Sequence, residues 1–301
     1  MFAIVGSGFG LYGYLPAVVE ALGEVVLLPA AYRAKVEARH ELHPCLEAIR
    51  WVPDARSALD AATGVVIATP PARQLAVATQ CLDLPALQML VLEKPLAPSP
   101  HEAQALLARI RGSGKRYRVG YTFLHCDWAL RLPPGWAASR QTDVAITWSF
   151  MAHHFARGLS NWKRVHAEGG GVLRFFGVHL IALLAHEGYR EVRESTLSGA
   201  VAGEPERWQA VFRGPGLSPC HVSVDSRNPG SAFRISAGES LVDLADPYAA
   251  EPSSGEADRR IGVLKRFLGS LQGADATHDA FCDEVNRLWQ RTEDATRLAV
   301  A

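Results

Sequence analysis

The chain has 301 residues, 48% of them hydrophobic and 21% charged, and its 31 basic and 31 acidic side chains cancel. This size and balance predict one or two globular domains with a large core, and they give no indication of nucleic acid or a membrane as partner. The five cysteines show no C-x-x-C spacing, so we expect reduced thiols, no metal site and a cytoplasmic protein. Neither a secretory signal nor an apolar run of about 18 residues that could span a membrane is expected.

The first 120 residues alternate between short apolar runs and helix-like stretches. Near-continuous apolar strands separated by helices predict a doubly wound parallel sheet, and thus a Rossmann domain over residues 1–120. The predicted strands are Phe2–Val5, Val25–Leu28, Val65–Ala68, Leu87–Leu92 and Arg116–Tyr121. The predicted helices are Leu15–Leu22, Arg33–Glu47, Arg73–Leu82 and Pro100–Arg111.

The pattern changes after about residue 121, where short strands are joined by Gly, Pro and Ser turns that favour antiparallel hairpins. The predicted strands are Asp143–Phe150, Trp208–Phe212, His221–Asp225, Phe233–Ala237 and Ser240–Leu244. The predicted helices are a buried one over Leu173–Leu184 and two amphipathic ones over Asp258–Gly269 and His278–Leu298. The stretch Asp246–Gly255 is the expected mobile loop.

A glycine-rich turn, G-S-G-F-G-L at residues 6–11, joins the first strand to the first helix. In this position glycines let the backbone approach a pyrophosphate at a helix N-terminus, so the turn predicts a dinucleotide site. The G-x-G-x-x-G pattern would put its third glycine at position 11, where this chain has Leu11, and Gly10 or Gly13 could provide the close packing instead. The alternative is a glycine turn that binds nothing.

The second predicted strand ends without the acidic residue that binds the ribose 2′-hydroxyl in NAD sites. Arg33 follows that strand. An absent acid with an arginine nearby favours a 2′-phosphate, and hence NADP over NAD. The alternative is that Arg33 is a solvated residue at the start of the next helix.

A charged pair, Glu93-Lys94, ends an apolar strand abruptly and is followed by Pro95. It lies at the carboxyl edge of the predicted sheet, where ligands bind in open α/β folds. Lys94 could donate a hydrogen bond to a substrate hydroxyl or lower its pKa, although a lysine after a strand is more often a solvated charge.

These motifs continue with A-T-P-P at 68–71, G-Y at 120–121, W-K at 162–163 and G-G-G-V-L-R-F-F-G-V-H at 169–179. Together they resemble the Gfo/Idh/MocA family of NAD(P)-dependent oxidoreductases over essentially the whole chain. The resemblance implies a Rossmann domain followed by a substrate-binding and oligomerisation α/β domain over 121–301, built on a large open mixed or antiparallel sheet. The C-terminal helices within 258–301 could pack back on the first domain.

The resemblance also implies a nicotinamide cofactor, a sugar, polyol or nucleotide-sugar substrate, and a homodimer or homotetramer. It assigns catalysis to Lys94 and His179. The expected cofactor-binding residues are Gly6, Gly8, Phe9, Gly10, Leu11, Arg33, Thr69, Pro70, Glu93 and Lys94. The expected substrate-binding residues are Tyr121, His153, His154, Trp162, Lys163 and His179. Adjacent His153 and His154 would point opposite ways on a strand, which argues against a shared metal.

The chain departs from the family pattern at three positions. Phe175 and Ala182 stand where the family often has aspartates, and Gln74 stands where it often has a histidine. Phe175 shares a helix face with His179 four residues on, and it can neither orient nor charge that histidine. Three interpretations stay open: a sugar oxidoreductase with a reduced catalytic set, a catalytically impaired nucleotide- or sugar-binding protein, and a reductase of a non-sugar molecule such as an imine or linear tetrapyrrole.

Overall fold

The computed structural model describes residues 1–138, 142–251 and 257–299. The chain divides into two compact units. Unit 1 consists of the described residues within Met1–Ala97, Ala105–His125 and Glu251–His278. Unit 2 consists of those within Pro98–Gln104, Cys126–Ala250 and Asp279–Ala301.

Unit 1 is built on a parallel sheet of six strands among its described residues. The strands are β1 (Phe2–Val5), β2 (Val26–Pro29), β3 (Ile49–Val52), β4 (Gly64–Ile67), β5 (Met89–Leu92) and β6 (Arg116–Val119). Their order, β3-β2-β1-β4-β5-β6, is that of a doubly wound nucleotide-binding fold, with the topological switch between β1 and β4. The predicted Rossmann sheet is confirmed.

Ten α-helices lie in the described parts of the chain. They are α1 (Leu15–Leu22), α2 (Arg33–Glu37), α3 (Ala55–Ala61), α4 (Pro71–Cys81), α5 (Pro100–Gly112), α6 (Asp127–Leu130), α7 (His153–Ala156), α8 (Val178–Glu187), α9 (Arg260–Gly269) and α10 (Asp275–Ala295). In unit 1 the apolar face of α1 packs against α9 and against strands β1 and β2. Helix α9 therefore belongs to the core that supports the glycine turn.

The predicted helix Arg33–Glu47 is wrong. Helix α2 ends at Glu37, and short 3₁₀ turns follow over His40–Ala48. Pro44 lies inside that stretch. A proline cannot donate a helical hydrogen bond, and its ring clashes with the carbonyl group of the preceding helical turn. The sequence pattern also missed β3, a four-residue strand with no fully buried side chain, and α3, which Asp54 caps by accepting a hydrogen bond from the Ser57 amide at 2.8 Å.

Unit 2 is built on a mixed sheet with seven strands in its described residues. They are β7 (Val144–Met151), β8 (Glu191–Ser198), β9 (Arg207–Arg213), β10 (Cys220–Asp225), β11 (Arg227–Ala237), β12 (Glu239–Leu244) and β13 (Thr296–Leu298). They run in the order β12-β11-β7-β10-β9-β8-β13. The β8–β9, β9–β10, β7–β11 and β11–β12 pairs are antiparallel, and β7–β10 and β8–β13 are parallel. The predicted α/β domain with a large mixed sheet is confirmed.

One face of this sheet forms the core of unit 2 and the other is polar. Trp208 and Phe212 on β9 are fully buried, whereas Gln209 between them is exposed. The same alternation places Ile235 inside and Arg234 outside on β11. This period of two is what half-covered strands require.

Two helix predictions in unit 2 need correction. The apolar stretch Leu173–Leu184 begins as a π-helical turn over Val172–Gly177 and becomes α-helical only in α8. The last helix ends at Ala295 instead of Leu298, because Thr296–Leu298 pairs with β8 and the Thr296 hydroxyl lies 2.7 Å from that of Ser195.

The helical run His166–Glu187 is long and apolar enough to cross a membrane, yet 78% of its most apolar window is buried inside the protein. That burial is typical of a core helix. Of the expected mobile loop Asp246–Gly255, residues 252–255 lie outside the described parts of the chain.

Candidate active site

The glycine turn of unit 1 has the shape of a phosphate cradle. Gly6 has φ +133°, and a Cβ there would lie 2.2 Å from the carbonyl oxygen of Ala68, the residue that follows β4. Only glycine therefore fits at this position of the turn after β1. A Cβ at Gly8 would meet nothing within 4 Å. The first glycine therefore closes the turn, and the second leaves open space where a ligand can approach the backbone.

The missing third glycine is explained by a π-helical turn over Gly10–Tyr14 that precedes α1. A Cβ at Gly10 would lie 3.0 Å from the Ile4 side chain of β1, so Gly10 makes the close approach between helix and strand. Leu11 points into the core and is 2% exposed. The wider π turn thus moves the small residue one position earlier than the usual spacing.

The segment after β2 reaches the glycine turn with a lysine and a tyrosine. The Lys35 ammonium donates to the Ser7 hydroxyl at 2.8 Å, and the Gly6 amide donates to the Tyr32 hydroxyl at 3.3 Å. Arg33, the residue that the sequence favoured here, lies over the Trp51 ring with its guanidinium 5.0 Å from the ring centroid. Lys35 lies on α2 two residues beyond Arg33, and it belongs to no motif that would have marked it in the sequence.

Helix α9 adds an arginine to the same cradle. The Arg260 guanidinium lies 4.1 Å from the centroid of the Phe9 ring, and Asp258 holds it by an ion pair at 2.7 Å. Nothing in the first 120 residues signals this contact, because it depends on a helix from the far end of the sequence.

The Glu93-Lys94-Pro95 turn follows β5 at the same edge of the sheet. The Lys94–Pro95 peptide bond is cis, and Lys94 is half-buried. The Tyr14 hydroxyl donates to the Glu93 carboxylate at 2.5 Å. Part of the Glu93 surface stays accessible, but protein surrounds most of the carboxylate. This loss of solvent raises the pKa of Glu93, and the positive charge of Lys94 lowers it.

Gln74 fastens this turn from inside. The Gln74 side chain is fully buried. Its amide nitrogen donates to the backbone carbonyls of Glu93 at 2.6 Å, Pro95 at 3.2 Å and Leu96 at 3.1 Å. Its amide oxygen accepts a hydrogen bond from the Glu93 N–H at 2.8 Å. A residue that departs from the family pattern therefore serves the position of Lys94 through hydrogen bonds alone, without a titrating group.

Three further predicted residues lie just past strands β4 and β6, which flank β5 in the sheet. The Thr69 hydroxyl, just past β4, is buried and has no hydrogen-bond partner among the described residues; Pro70 beside it is exposed. Tyr121, just past β6, is 5% exposed. A Cβ at Gly120 would lie 2.9 Å from the Tyr14 hydroxyl, so this glycine leaves room for the partly buried Tyr14–Glu93 pair.

The residues at this edge fit a nicotinamide dinucleotide. A pyrophosphate with two ribose rings would occupy the open space above Gly8 and could hydrogen-bond to the buried Thr69 hydroxyl, which has no partner among the described residues. The basic side chains of Lys35 and Arg260 would bind its negative charge. Among the residues that the structure describes, no three His, Cys, Asp or Glu side chains cluster as metal ligands.

In unit 2 the G-G-G segment holds the Trp162-Lys163 segment against the start of the helix that carries His179. A Cβ at Gly170 would lie 2.0 Å from the Trp162 carbonyl oxygen, and the Gly171 amide donates to the Lys163 carbonyl at 2.8 Å. The glycines therefore bring the W-K and G-x-H motifs into one region of this unit.

The position of the missing acid is filled by aromatic contacts. Phe175 packs edge-on against Trp162 with ring centroids 5.2 Å apart, and the Lys163 ammonium lies 5.4 Å from the Phe175 centroid. His179, four residues along, is 4% exposed. The surroundings of this histidine are thus more apolar than an aspartate at position 175 would make them.

His153 and His154 lie on helix α7, and the expectation that they occupy a strand is wrong. His153 is exposed, whereas His154 is buried at 3% exposure. Burial lowers the pKa of His154 to about 4, and the nearby positive charges of Lys163 and Arg164 act in the same direction. His154 is therefore neutral near pH 7.

Comparison with known proteins adds to this geometry. The first 121 residues match the model of an oxidoreductase family with an NAD-binding Rossmann fold. Residues 1–121 are therefore similar to the Gfo/Idh/MocA family, and the resemblance drawn from the motifs is confirmed for that part of the chain. No curated protein sequence matches the chain.

Solved structures match nearly the full length of the chain. A 3-ketoreductase from Actinomadura kijaniata, solved with NADP and TDP-benzene, is 13% identical with a TM-score of 0.71 and covers 100% of this chain and 98% of that one. An NAD binding oxidoreductase from Klebsiella pneumoniae is 14% identical with a TM-score of 0.71, over 98% and 96%. Levoglucosan dehydrogenase, solved with NADH and levoglucosan, is 13% identical with a TM-score of 0.69, over 98% and 97%. At these identities the likeness shows the fold.

Proposed function

We propose that this chain is an NAD(P)-dependent oxidoreductase that transfers hydride between a nicotinamide and a hydroxyl- or keto-bearing carbon of a sugar, polyol or nucleotide-sugar. The observation that carries the proposal is the carboxyl edge of the unit 1 sheet, where the glycine cradle follows β1 and the half-buried Glu93-Lys94 turn follows β5, with β4 between these two strands. Solved neighbours were crystallised with nicotinamide cofactors and with levoglucosan or TDP-benzene, which supports the substrate class.

The chain's own residues would act by position and charge. When bound, the nicotinamide supplies the hydride chemistry. Gly8 gives the pyrophosphate access to the backbone, and the Thr69 hydroxyl is available for a hydrogen bond. We assign the catalytic roles to Lys94, whose ammonium would polarise a substrate oxygen, and to His179, whose imidazole would exchange a proton. Glu93, next to the lysine, accepts the hydrogen bond of the Tyr14 hydroxyl.

NADP remains the favoured cofactor. The strand β2 ends without an acid, and the adjoining segment brings the positive charge of Lys35 to the Ser7 hydroxyl. A 2′-phosphate needs such a donor, whereas a 2′-hydroxyl is usually bound by a carboxylate. Lys35 takes this role together with, or in place of, Arg33.

The remaining assignments complete the proposal. We propose that the substrate contacts Tyr121, His153, His154, Trp162 and Lys163. We also propose that residues 1–120 form the cofactor domain and residues 121–301 the substrate domain. The protein is proposed to be a cytoplasmic homodimer or homotetramer. The test is turnover: purified protein with NADPH or NADH is assayed against keto-sugars, sugars, polyols and nucleotide-sugars by nicotinamide absorbance. Oxidation or reduction of any member supports the proposal, and no turnover by a protein that binds cofactor contradicts it.

A second candidate has one observation in its favour. Phe175 fills the place of the aspartate that would orient His179 in the family pattern. A protein that has lost this partner could bind a nucleotide or sugar without turning it over. Tight cofactor binding with no turnover on the full panel would favour this binding role.

A further inference from the structure

Tyr14 reaches the lysine turn of unit 1 from the end of the glycine turn. It is the last residue of the π-helical turn Gly10–Tyr14, and it is fully buried. Its hydroxyl donates to the Glu93 carboxylate at 2.5 Å. In the sheet, β4 lies between β1, which precedes the glycine turn, and β5, which precedes Glu93. This hydrogen bond therefore joins the ends of two strands that are not neighbours in the sheet.

The neighbours of Tyr14 restrict where its hydroxyl can point. The Phe9 ring packs against the Tyr14 ring with centroids 5.4 Å apart. A Cβ at Gly13 would lie 2.3 Å from the Phe9 ring, so this glycine leaves space for that ring. A Cβ at Gly120 would lie 2.9 Å from the Tyr14 hydroxyl and 3.1 Å from Oε1 of Glu93, the atom that accepts the hydrogen bond. Packing around the pair therefore fixes the donor in advance of any ligand.

Different residues hold the main chain and the side chain of Glu93. Gln74 hydrogen-bonds to the backbone carbonyl and N–H of Glu93, whereas Tyr14 hydrogen-bonds to the carboxylate. Lys94 follows directly and is half-buried. The residue before the lysine thus has a fixed backbone and a fixed carboxylate, and loss of the Tyr14 hydroxyl would free the carboxylate alone.

Charged and polar neighbours oppose the cost of burying the Glu93 carboxylate. Loss of solvent raises the pKa of Glu93. Three groups lower this pKa and so favour the ionised form, and they are the charge of Lys94, the hydroxyl of Tyr14 and the charge of Arg260 on α9. An apolar side chain in this place would avoid the cost of burying a charge, and buried ionisable groups cluster at functional sites. The arrangement indicates a role for the charge of Glu93 beside Lys94.

The anions near a lysine decide where its ammonium lies, because the four-carbon stem is flexible and gives the charge no fixed direction. A fixed carboxylate beside Lys94 therefore limits the positions that the ammonium can take. In the proposed hydride transfer this ammonium has to meet one substrate oxygen, and a misplacement of about 1 Å can cost about 10²-fold in rate.

We propose that Tyr14 is a positioning residue of the active site: its hydroxyl fixes the Glu93 carboxylate, and the fixed carboxylate holds the Lys94 ammonium where it can polarise the substrate oxygen. The inference rests on the proposed function and deepens it by one residue of the same site. In this role Tyr14 touches neither cofactor nor substrate, so it acts only through Glu93.

The first test requires no substrate. The full chain is labelled with carbon-13 at its glutamate carboxyl groups and titrated by NMR, and the Glu93 signal is identified as the one absent in Glu93→Gln. Tyr14→Phe removes one hydroxyl, which is one of the groups that lower the pKa of Glu93. The midpoint of the Glu93 titration should therefore move to higher pH, by about one pH unit for a hydrogen bond to a charged group. An unchanged midpoint would overturn the inference.

The second test uses the substrate that the turnover panel identifies. Near neutral pH, kcat of Tyr14→Phe should fall about tenfold while the Kd for NADPH stays within about threefold, because the cradle keeps its glycines. The acid side of the kcat profile should move to higher pH together with the Glu93 titration, so the deficit narrows as the pH rises. A deficit of the same size at every pH would show a structural role alone and contradict the inference.

A double-mutant cycle tests whether Tyr14 acts through Glu93. In the Glu93→Ala background, Tyr14→Phe should change kcat by less than about twofold, because the hydroxyl has no carboxylate left to hold. If the two losses multiply in the double variant, Tyr14 acts by another route and the inference fails.

Tyr189→Phe is the matched control. Tyr189 in unit 2 is also fully buried, and its hydroxyl donates to the Ser218 carbonyl at 2.9 Å. Its loss should lower the stability as Tyr14→Phe does, and it should leave the Glu93 titration and the kcat profile unchanged. A second variant, Gly120→Ala, would place its Cβ against the Tyr14 hydroxyl and push it from Glu93, so the Glu93 midpoint should rise here too. An unshifted midpoint in Gly120→Ala would overturn the inference even if Tyr14→Phe failed to fold.

The outcomes separate this inference from the proposed function. Turnover by the parent with an unshifted Glu93 midpoint in Tyr14→Phe overturns the inference and leaves the function standing. No turnover by a parent that binds NADPH contradicts the function and removes the positioning role with it. A shifted midpoint in that case identifies the function as the part that failed, because the Tyr14–Glu93 contact is then made as described.

Discussion

The two units of this protein treat the family pattern differently. At the strand ends of unit 1, a departure from the pattern is compensated locally: Gly10 takes over the close approach expected at position 11, and Gln74 holds the lysine turn where a histidine is usual. In unit 2 the Phe175 ring packs against the rings of Trp162 and Phe176. These contacts supply no carboxylate in place of the family's aspartate. The comparison indicates that unit 1 keeps the geometry of its glycine cradle and lysine turn, whereas unit 2 has aromatic contacts where the family pattern has an acid.

The largest expected effect sharpens the unit 1 side of this comparison. Lys94→Ala should lower kcat by about 10²–10⁴-fold, the range for loss of a proton-donating or polarising group, while the Kd for NADPH stays within about threefold. Steady-state kinetics and fluorescence titration measure the two quantities. Lys265→Ala is the control, and turnover that survives in Lys94→Ala would refute the assignment.

Gly6→Ala should break the cradle itself. The new Cβ would lie 2.2 Å from the Ala68 carbonyl oxygen at φ +133°, so we expect a loss of roughly 3 kcal/mol of unfolding free energy together with loss of cofactor binding. Urea denaturation and NADPH titration measure these. Gly23→Ala, at φ +63° with open space around it, should cost only about 1 kcal/mol and leave binding intact. Equal effects of the two substitutions would contradict the role of the cradle.

Gln74→Leu tests whether the buried amide supports the lysine turn. The substitution removes the hydrogen bonds between Gln74 and the carbonyls of Glu93, Pro95 and Leu96, while the Glu93 amide keeps its bond to the Ile67 carbonyl at 3.3 Å. Loss of these bonds in a buried place should cost about 1–3 kcal/mol of unfolding free energy. Because the turn carries Lys94, kcat should fall more than the affinity for NADPH. A variant as stable and active as the parent would show that the clamp is dispensable.

His154 gives unit 2 a dependence on acid. Its pKa is about 4 in the folded protein, whereas an unfolded histidine titrates near about 6.5, so the unfolded state takes up the proton first. The stability is therefore present above about pH 6.5 and is lost as the pH falls towards 4, by about 3 kcal/mol. Unfolding free energies measured across this range should fall less steeply in His154→Phe than in the parent, and parallel curves would refute the prediction.

The smallest expected effect concerns cofactor choice. Lys35→Ala should weaken NADPH about tenfold and leave NADH within about twofold, since only NADPH carries the 2′-phosphate. Arg33→Ala should have the smaller effect, because its guanidinium lies over Trp51. Fluorescence titration of both variants decides between them. A larger loss in Arg33→Ala would return the role to the residue that the sequence favoured.

Much of this fold could be predicted from the sequence, because buried parallel strands are near-continuous apolar runs. This signal predicted strands β1 and β5 closely. Helix α1 has the bounds that its own sequence pattern predicted. The edge strand β3 gives no such signal, since none of its four side chains is fully buried. Strand β13 was missed because three residues at the end of a helix acquire strand geometry only by pairing with β8.

The candidate site divides in the same way. Motifs that are contiguous in sequence, such as Gly6-Ser7-Gly8 and Glu93-Lys94-Pro95, could be placed from the sequence because strand ends in a parallel sheet share one edge. Contacts between distant segments could not. Arg260 reaches Phe9 across some 250 residues of chain, and Tyr14 reaches Glu93, only after the sheet has formed.

The most direct test of the account is titration of the purified protein with NADPH and with NADH, followed by nicotinamide fluorescence. If the edge of unit 1 is a working cofactor site, NADPH should bind with micromolar affinity and more tightly than NADH. If neither cofactor binds, the cradle at Gly6–Gly10 is a structural turn only, and the proposed oxidoreductase function is contradicted.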